Sequence, residues 1–223
     1  MKSKILRCIT AMTLSTVLAI SVRSSAQEQQ QDDHGYGHEP KLIEFDAPRA
    51  AKVSSTVCAP FCGTYALDIN LEGTTAGYYV DEEGVYHGFV RSSLGEITSF
   101  DPTGSVFTFV CEETCLNLEG TITGYYSDAS GVIHGFVGEP GGDITTLDAP
   151  GASGFTGGAS INPEGTITGY FLDSSSVAHG FVRTRGGDFK TFDVPADTGA
   201  VQTAAFSINL LGAVTGELST RAM

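Results

Sequence analysis

The sequence contains few basic residues and, after its first 26 residues, no long apolar run. Twelve Lys and Arg residues face 26 Asp and Glu residues, which gives a formal net charge of −14. This excess of negative charge argues against nucleic acid or an anionic membrane as a partner. No segment beyond residue 26 approaches the 18 apolar residues of a membrane-spanning helix, so we predict no membrane insertion.

Helical periodicity and the signatures of common catalytic sites are also missing. Glycine accounts for 28 of the 223 residues, and beyond the N-terminus no ten-residue segment keeps apolar residues at the spacing of a helix. The sequence has no Gly-x-Ser-x-Gly, no His-Glu-x-x-His and no Gly-rich phosphate loop. We therefore predict an all-β protein that is not an enzyme and has no cofactor.

The first 26 residues have the features of a signal peptide. Lys2, Lys4 and Arg7 precede an apolar stretch at 8–22, and small residues at 24–26 supply a cleavage site. Cleavage leaves 8 basic residues against 26 acidic ones, a net charge of −18. We predict an exported protein that is secreted, periplasmic or held at the cell surface.

An internal repeat organises most of the remaining chain. Four Asn-x-x-Gly motifs begin 47, 45 and 47 residues apart, and their first residues are Asn70, Asn117, Asn162 and Asn209. A fixed period of this length is typical of one small supersecondary unit that must stack against copies of itself. We divide the chain into a signal peptide (1–26), a disordered polar leader (27–40), a β-repeat domain (41–218) and a tail (219–223).

Each repeat reads as four short strands. One precedes the Asn, one follows it and ends in Gly and an aromatic pair, one carries a His-Gly-Phe tripeptide, and the last ends at an Asp. The histidines are His87, His134 and His179, and the strand-ending aspartates are Asp46, Asp101, Asp148 and Asp193. Four strands in 45 to 47 residues is the size of one blade of a β-propeller.

The number of strands is odd, and this leaves two architectures open. The stretch 41–48 matches the last strand of a repeat, three full repeats follow, and the fourth has only its first two strands. The chain forms either a four-bladed propeller with an incomplete last blade or a truncated propeller whose relatives carry more repeats. An open sheet edge in the second case would favour self-association.

The repeated polar and aromatic residues have functional and structural interpretations. The three histidines could form a metal-binding ring, but each occupies the same place in its repeat, so we interpret them as packing residues that bond a neighbouring turn or carbonyl. The repeated asparagines are typical of turns. A calcium site at 81–84 has lost two carboxylates in the counterpart 173–176, which favours an ordinary turn. We also interpret the aromatic pairs as packing rather than as sugar-stacking platforms.

Four cysteines remain after cleavage, namely Cys58, Cys62, Cys111 and Cys115. An even number in an exported protein indicates two disulfides. Bonds within each Cys-x-x-x-Cys pair require a turn, because positions i and i+4 of a straight strand lie about 13 Å apart. Local pairing and pairing between blades both stay open, and a zinc site is the weaker alternative because no matching histidine pair accompanies the cysteines.

The combination of Asn-x-x-Gly, Gly-Tyr, Asp-x-x-Gly, His-Gly-Phe and Asp-x-Pro-Gly motifs over 41–218 resembles a bacterial extracellular repeat family. That family is named for its His-Ala-Phe tripeptide (HAF repeat). Glycine takes the middle place in all three copies here, and Asp148-Ala149-Pro150-Gly151 is the one complete copy of the last motif. The resemblance implies a secreted, propeller-like β protein without an established activity, so no functional residue is carried over.

These observations predict a non-catalytic extracellular module for binding or scaffolding, with an unknown extracellular protein or glycan as its partner. An exported enzyme that acts on polysaccharide from a propeller scaffold is the first alternative. It would need unlike residues at equivalent places of different repeats, and the insertion at 49–65 is one such place. A truncated repeat protein that assembles with a second copy is the other alternative.

Overall fold

The structure is a computed structural model that describes residues 42–52, 61–110, 114–139, 141–195 and 200–220. Two compact units divide the chain between Phe45 and Asp46. The described residues of the first unit, 42–45, form no regular secondary structure, and all fourteen described strands belong to the second. The predicted signal peptide and leader lie outside the described residues.

The strands fall into four consecutive groups of antiparallel neighbours. Group 1 contains β1 (Gly63–Ile69), β2 (Thr75–Val80), β3 (Tyr86–Arg91) and β4 (Ile97–Phe100). Group 2 contains β5 (Ser105–Val110), β6 (Ile122–Asp128), β7 (Ile133–Gly138) and β8 (Ile144–Leu147). Group 3 contains β9 (Phe155–Ile161), β10 (Ile167–Leu172), β11 (Ala178–Arg183) and β12 (Phe189–Phe192). Group 4 contains β13 (Ala200–Ile208) and β14 (Val214–Thr220).

Within groups 1 to 3 each strand pairs with the next one along the chain, so every group is a meander. Groups 2 and 3 join into one hydrogen-bonded sheet through a single parallel bridge between Ile133 and Phe155. The described residues form no helix and no closed sheet. The prediction of an all-β protein is confirmed.

Two details of the sequence prediction differ from the structure. The stretch 41–48 was expected to be a strand, and its described residues, 42–48, form none. Residues 46–48 nevertheless take the place that 148–150 take after β8, because the Ala47 N–H donates to Thr64 Oγ1 (2.9 Å) as the Ala149 N–H does to Thr156 Oγ1. At the other end β14 extends to Thr220, two residues past the expected boundary at 218.

Glycine precedes the aromatic pair because two backbones approach closely there. In group 1 the register of β1 against β2 shifts between Ala66 and Asp68, which is a β-bulge. A Cβ on Gly77 would collide with the carbonyl oxygen of Tyr65, and the equivalent glycines meet the same obstacle in the other groups. These equivalents are Gly124, Gly169 and Gly216. The residue before the aromatic pair therefore has to lack a side chain.

The hydrophobic core lies between successive groups. Phe100 of β4 meets Phe136 of β7 edge to face with ring centroids 5.8 Å apart, and Leu147 of β8 belongs to the same buried cluster as Phe181 of β11. The last strand of one group thus packs against the His-Gly-Phe strand of the next. The tripeptide glycine makes room for this residue, since a Cβ on Gly88 would enter the Phe100 ring.

Candidate functional site

The tripeptide histidines are held between two aspartates. His87 lies on β3 with Nδ1 2.7 Å from Asp101 Oδ2, at the end of β4, and Nε2 3.1 Å from Asp81 Oδ2, in the turn after β2. The side chain of His87 is 12% exposed and that of Asp81 is 6% exposed. We call this arrangement an imidazole bridge, because one ring joins two turns of the same group.

The bridge recurs in groups 2 and 3 with a longer second contact. Nδ1 of His134 lies 2.9 Å from Asp148 and its Nε2 lies 3.7 Å from Asp128. His179 lies 2.7 Å from Asp193 and 3.4 Å from Asp173 through the same two nitrogens. The contact with the strand-ending aspartate is therefore close in all three groups, whereas the contact with the turn aspartate is closest in group 1.

The turn aspartate is oriented by its own backbone. Asp81 Oδ1 accepts hydrogen bonds from the backbone N–H groups of Glu83 (3.0 Å) and Val85 (2.8 Å), which is an Asx-type turn. Its other oxygen, Oδ2, faces the imidazole of His87. The turns after β6 and β10 repeat both backbone bonds. The Oδ1 atom of Asp81 is thus hydrogen-bonded to the backbone, and its Oδ2 atom is hydrogen-bonded to His87.

An aromatic ring supports each imidazole from the neighbouring strand. Tyr79 lies directly opposite His87 in the β2–β3 register, and the two rings stack with centroids 5.0 Å apart. The second members of the other aromatic pairs, Tyr126 and Phe171, stack on their histidines at 5.2 Å. All three rings are almost fully buried, so they serve packing. The first members form a row of ring contacts between groups, in which the Tyr78 ring lies 4.7 Å from the Phe109 ring of group 2.

The surroundings of the turn aspartates favour the charged form of these carboxylates. Burial alone would raise the pKa of Asp81, but hydrogen bonds from the Val85 N–H and from His87 outweigh it, so that pKa lies below its ordinary value. The Val132 and Val177 N–H groups are the main cause of the lowered pKa of Asp128 and Asp173 respectively.

The pKa of the group 3 imidazole is shifted upward, whereas the pKa of each turn aspartate is shifted downward. Burial alone would lower the pKa of His179, and its hydrogen bonds to Asp193 and Asp173 more than offset this and raise it. The hydrogen bonds between an imidazole and two carboxylates are stronger when the imidazole is positively charged. Because both ring nitrogens of His87 are already bonded, the bridge of group 1 holds strands together and leaves no ring nitrogen for chemistry.

The asparagines form turns and also link groups. Asn70 Oδ1 accepts the N–H groups of Glu72 and Thr74, and its Nδ2 donates to the carbonyl oxygen of Asn117 at 3.1 Å. Asn162 Nδ2 lies 3.4 Å from the carbonyl oxygen of Asn209 in the same way. Asn117 Nδ2 is buried without a hydrogen-bond partner in the described part of the chain. The sequence predicted the turn but not the link between groups.

The cysteines are described in part. Cys62 is disulfide-bonded. Cys115 is fully buried in the cluster that contains Val110 and Leu116. Cys58 and Cys111 lie outside the described residues, so the pairing stays a prediction. No group of three His, Cys, Asp or Glu residues in the described ranges has the arrangement of a metal site.

Two clefts open between groups, next to the turns that join the third and fourth strands. The acidic cleft, about 260 Å³, lies between groups 1 and 2, and its charged lining is Glu96, Glu119 and Glu139. The arginine cleft, about 360 Å³, lies between groups 2 and 3. Its charged lining is Glu139, Asp143, Arg183 and Arg185. Sequence analysis did not single out these residues, because a repeat motif does not show which side chains of neighbouring groups line one cleft.

The fold and these sites define an all-β protein of stacked antiparallel strand groups. No family model matches the chain, and no curated protein matches it. Among solved structures it is similar to a streptogramin B lyase with 14% identity and a TM-score of 0.40, over 71% of this chain. The match spans 55% of that structure's length. A likeness of this size carries no argument about this chain. The described residues contain no helix long and apolar enough to cross a membrane.

Proposed function

We propose that this chain is an exported, non-catalytic, propeller-like module of the HAF-repeat type, which binds an extracellular protein or glycan. Groups 1 to 3 would be blades, and the imidazole bridges and Asn turns would be the framework of each blade. The basic N-terminus and apolar stretch at 1–26 support export. The disulfide at Cys62 supports an oxidising compartment.

The observation that carries this proposal is the contrast between framework and clefts. The residues of the bridges recur in all three complete groups. We therefore assign them to the framework of the fold and not to ligand binding. At the end of the third strand and just after it, group 2 differs from groups 1 and 3, in which an arginine is followed by a hydroxyl residue. These residues are Arg91 and Ser92 in group 1, Gly138 and Glu139 in group 2, and Arg183 and Thr184 in group 3. Specific recognition requires such unlike residues at equivalent places, as an active site also would, so the release of sugar in the test below separates the two roles.

The test is a binding and turnover screen with residues 27–223 exported into an oxidising compartment. Cellulose, starch, chitin, polygalacturonate and an extracellular protein extract serve as probes, and both retention and the release of reducing sugar are measured. We expect retention by at least one probe without release of sugar. Release of sugar that a matched inactive preparation does not produce would replace this proposal with a polysaccharide-degrading enzyme.

A second candidate role is assembly through group 4. Among the described residues β14 pairs with β13 alone, whereas its counterparts β2, β6 and β10 each lie between two strands. The exposed apolar side chains of group 4 include Leu210, Leu211 and Leu218, the last 53% exposed. A strand edge of seven residues beside apolar surface is a template for pairing with a second copy.

A further inference from the structure

The arginine cleft has a lining that differs from its neighbour in charge. It is formed by the end of β7 and the start of β8 on one side and by the end of β11 on the other. Glu139, Asp143 and the hydroxyl of Thr145 come from group 2, while Arg183 and Arg185 come from group 3. The acidic cleft has Glu96 and Thr98 at the places of Asp143 and Thr145, but no arginine lines it.

Each of the two guanidinium groups has a partner within the protein. Arg183 is partly buried, its Cζ lies 5.9 Å from the centroid of the Phe189 ring, and its Nη1 donates to the Thr184 carbonyl oxygen at 3.3 Å. Arg185 Nη1 lies 2.7 Å from Glu119 Oε2, on a neighbouring turn of group 2.

The charges of the cleft select against ionic ligands. Two guanidinium groups and two carboxylates line this cleft, and Glu119 pairs with Arg185 beside it, so both signs of charge are present and no net positive site is left for an anion. An anionic ligand would meet Glu139 and Asp143 on a protein whose net charge is −14, and a cationic one would meet Arg183 and Arg185. A hydroxyl group avoids both conflicts, because it accepts from a guanidinium and donates to a carboxylate at the same time.

We propose that the arginine cleft binds a neutral oligosaccharide, with hydroxyl groups bridging Arg183 and Arg185 to Glu139 and Asp143. This inference rests on the proposed binding function and names its ligand class and site. The Thr121 and Thr145 hydroxyls supply further hydrogen bonds at the same lining.

Matched variants in the same chain make the proposal testable. Arg183→Gln with Arg185→Gln removes both guanidinium groups, and Arg91→Gln is the control, since Arg91 holds the equivalent place in group 1 and lines neither cleft. Thr145→Val removes a hydroxyl without a change of shape. Thr98→Val does the same at the equivalent place in the acidic cleft.

The experiment is isothermal titration of residues 27–223 with cellohexaose, maltohexaose and chitohexaose, with hexagalacturonate as the anionic comparison. We expect at least one neutral hexasaccharide to bind, a loss of tenfold or more in affinity for the double arginine variant, a threefold or larger loss for Thr145→Val, and no change for Arg91→Gln or Thr98→Val. Thermal melts identify a misfolded variant, in which case the Thr145→Val and Thr98→Val pair decides alone.

Two results would overturn the inference. Preference for hexagalacturonate over every neutral hexasaccharide would show that the ligand class is wrong. Equal loss of affinity in the cleft variants and their controls would show that the site is wrong. Either result leaves the binding function standing, because that function fails only if none of the polysaccharides and no extracellular protein is retained in the wider screen.

Discussion

Thr108 donates a 2.6 Å hydrogen bond from its hydroxyl to Asp101 Oδ1, where the equivalent threonines accept a bond instead. Thr156 and Thr203 accept the N–H groups of Ala149 and Val194, the residues that follow the strand-ending aspartates. The residue after Asp101 is Pro102, which has no N–H, so the Thr108 hydroxyl bonds the carboxylate itself. A single proline thus redirects the link between groups 1 and 2.

The first prediction concerns this link. Thr108→Val removes a fully buried hydroxyl that bonds a charged group, and we expect the free energy of unfolding to fall by about 2 kcal/mol. The measurement is urea unfolding followed by circular dichroism. Thr98→Val is the control and should change stability by less than about 0.5 kcal/mol, because Thr98 is exposed. Equal effects of the two variants would mean that the bond to Asp101 contributes nothing.

The second prediction is a stability maximum in mildly acidic solution. The lowered pKa of Asp81, Asp128 and Asp173 stabilises the fold above the ordinary value of 3.8, and that contribution is lost as pH falls through their folded pKa. The raised pKa of His179 stabilises the fold below its ordinary value of 6.5, and that contribution is lost as pH rises through the folded pKa. The melting temperature should therefore be highest between about pH 4 and pH 6.5.

A variant isolates the histidine contribution to that profile. His179→Gln keeps a polar side chain that cannot become charged, so the decline of the melting temperature above pH 6.5 should become shallower while the acid limb persists. A profile above pH 6.5 that is parallel to that of the unmodified protein would refute the charged imidazole bridge in group 3.

The third prediction is a graded glycine series. Gly124→Ala places a Cβ against the backbone carbonyl of Phe109, which cannot move without opening the strand pair, so a loss of about 3 kcal/mol is expected. Gly135→Ala meets chiefly the buried Leu147 side chain, with the Leu147 carbonyl oxygen at 2.9 Å, and should lose less, about 2 kcal/mol. Gly186→Ala has only a distant neighbour and should be near neutral. Chemical denaturation of the three variants side by side checks the order, and a reversed order would contradict the close backbone approach described for the glycine before the aromatic pair.

The fourth prediction is a stabilising change in the turn after β10. Ser176 has φ 62°, where the equivalent residues Gly84 and Gly131 have φ 82° and 83°. The left-handed region is unfavourable for a residue with a Cβ, so Ser176→Gly should raise stability by about 1 kcal/mol. Ser175→Gly is the control and should not stabilise, because no positive φ occurs there. Melting temperatures of the two variants provide the comparison.

The fifth prediction tests assembly through β14. The N–H of Leu218 points to the open edge, because alternate residues of a strand turn their N–H groups to opposite sides and the pairing with β13 uses the others. If a second copy pairs there, the exported protein should be dimeric in light scattering, Leu218→Pro should be monomeric, and Leu218→Val should remain dimeric. A monomer for the unmodified protein at all accessible concentrations would exclude this role.

The strands and turns of groups 1 to 3 lie where the repeat motifs predicted them. Local chemistry explains this, since Asn70, Asp81 and the glycines that follow them set the turns through contacts within five residues. The expected strand at 41–48 is wrong in its described residues, because a sequence match does not supply the neighbouring strand with which a β-strand must pair.

The imidazole bridges could have been found from spacing. Each histidine follows its turn aspartate by six residues and precedes the strand-ending aspartate by fourteen, and both intervals are the same in all three repeats. The arginine cleft had no such signal. Arg183 and Glu139 belong to different repeats, and nothing in their order along the chain indicates that one cleft contains both.

By itself the sequence determined the all-β class, the period and the hairpins, because turn residues and alternating β-formers act over a few positions. Only the tertiary structure decided which groups pack together and which surfaces stay open. The contact between Phe100 and Phe136, the hydrogen bond from Asn70 to the carbonyl of Asn117, and the juxtaposition of Arg185 with Glu119 all join residues of different repeats. Such contacts depend on how one strand group lies against the next, and that arrangement minimises the exposed apolar area of the whole chain rather than of any segment.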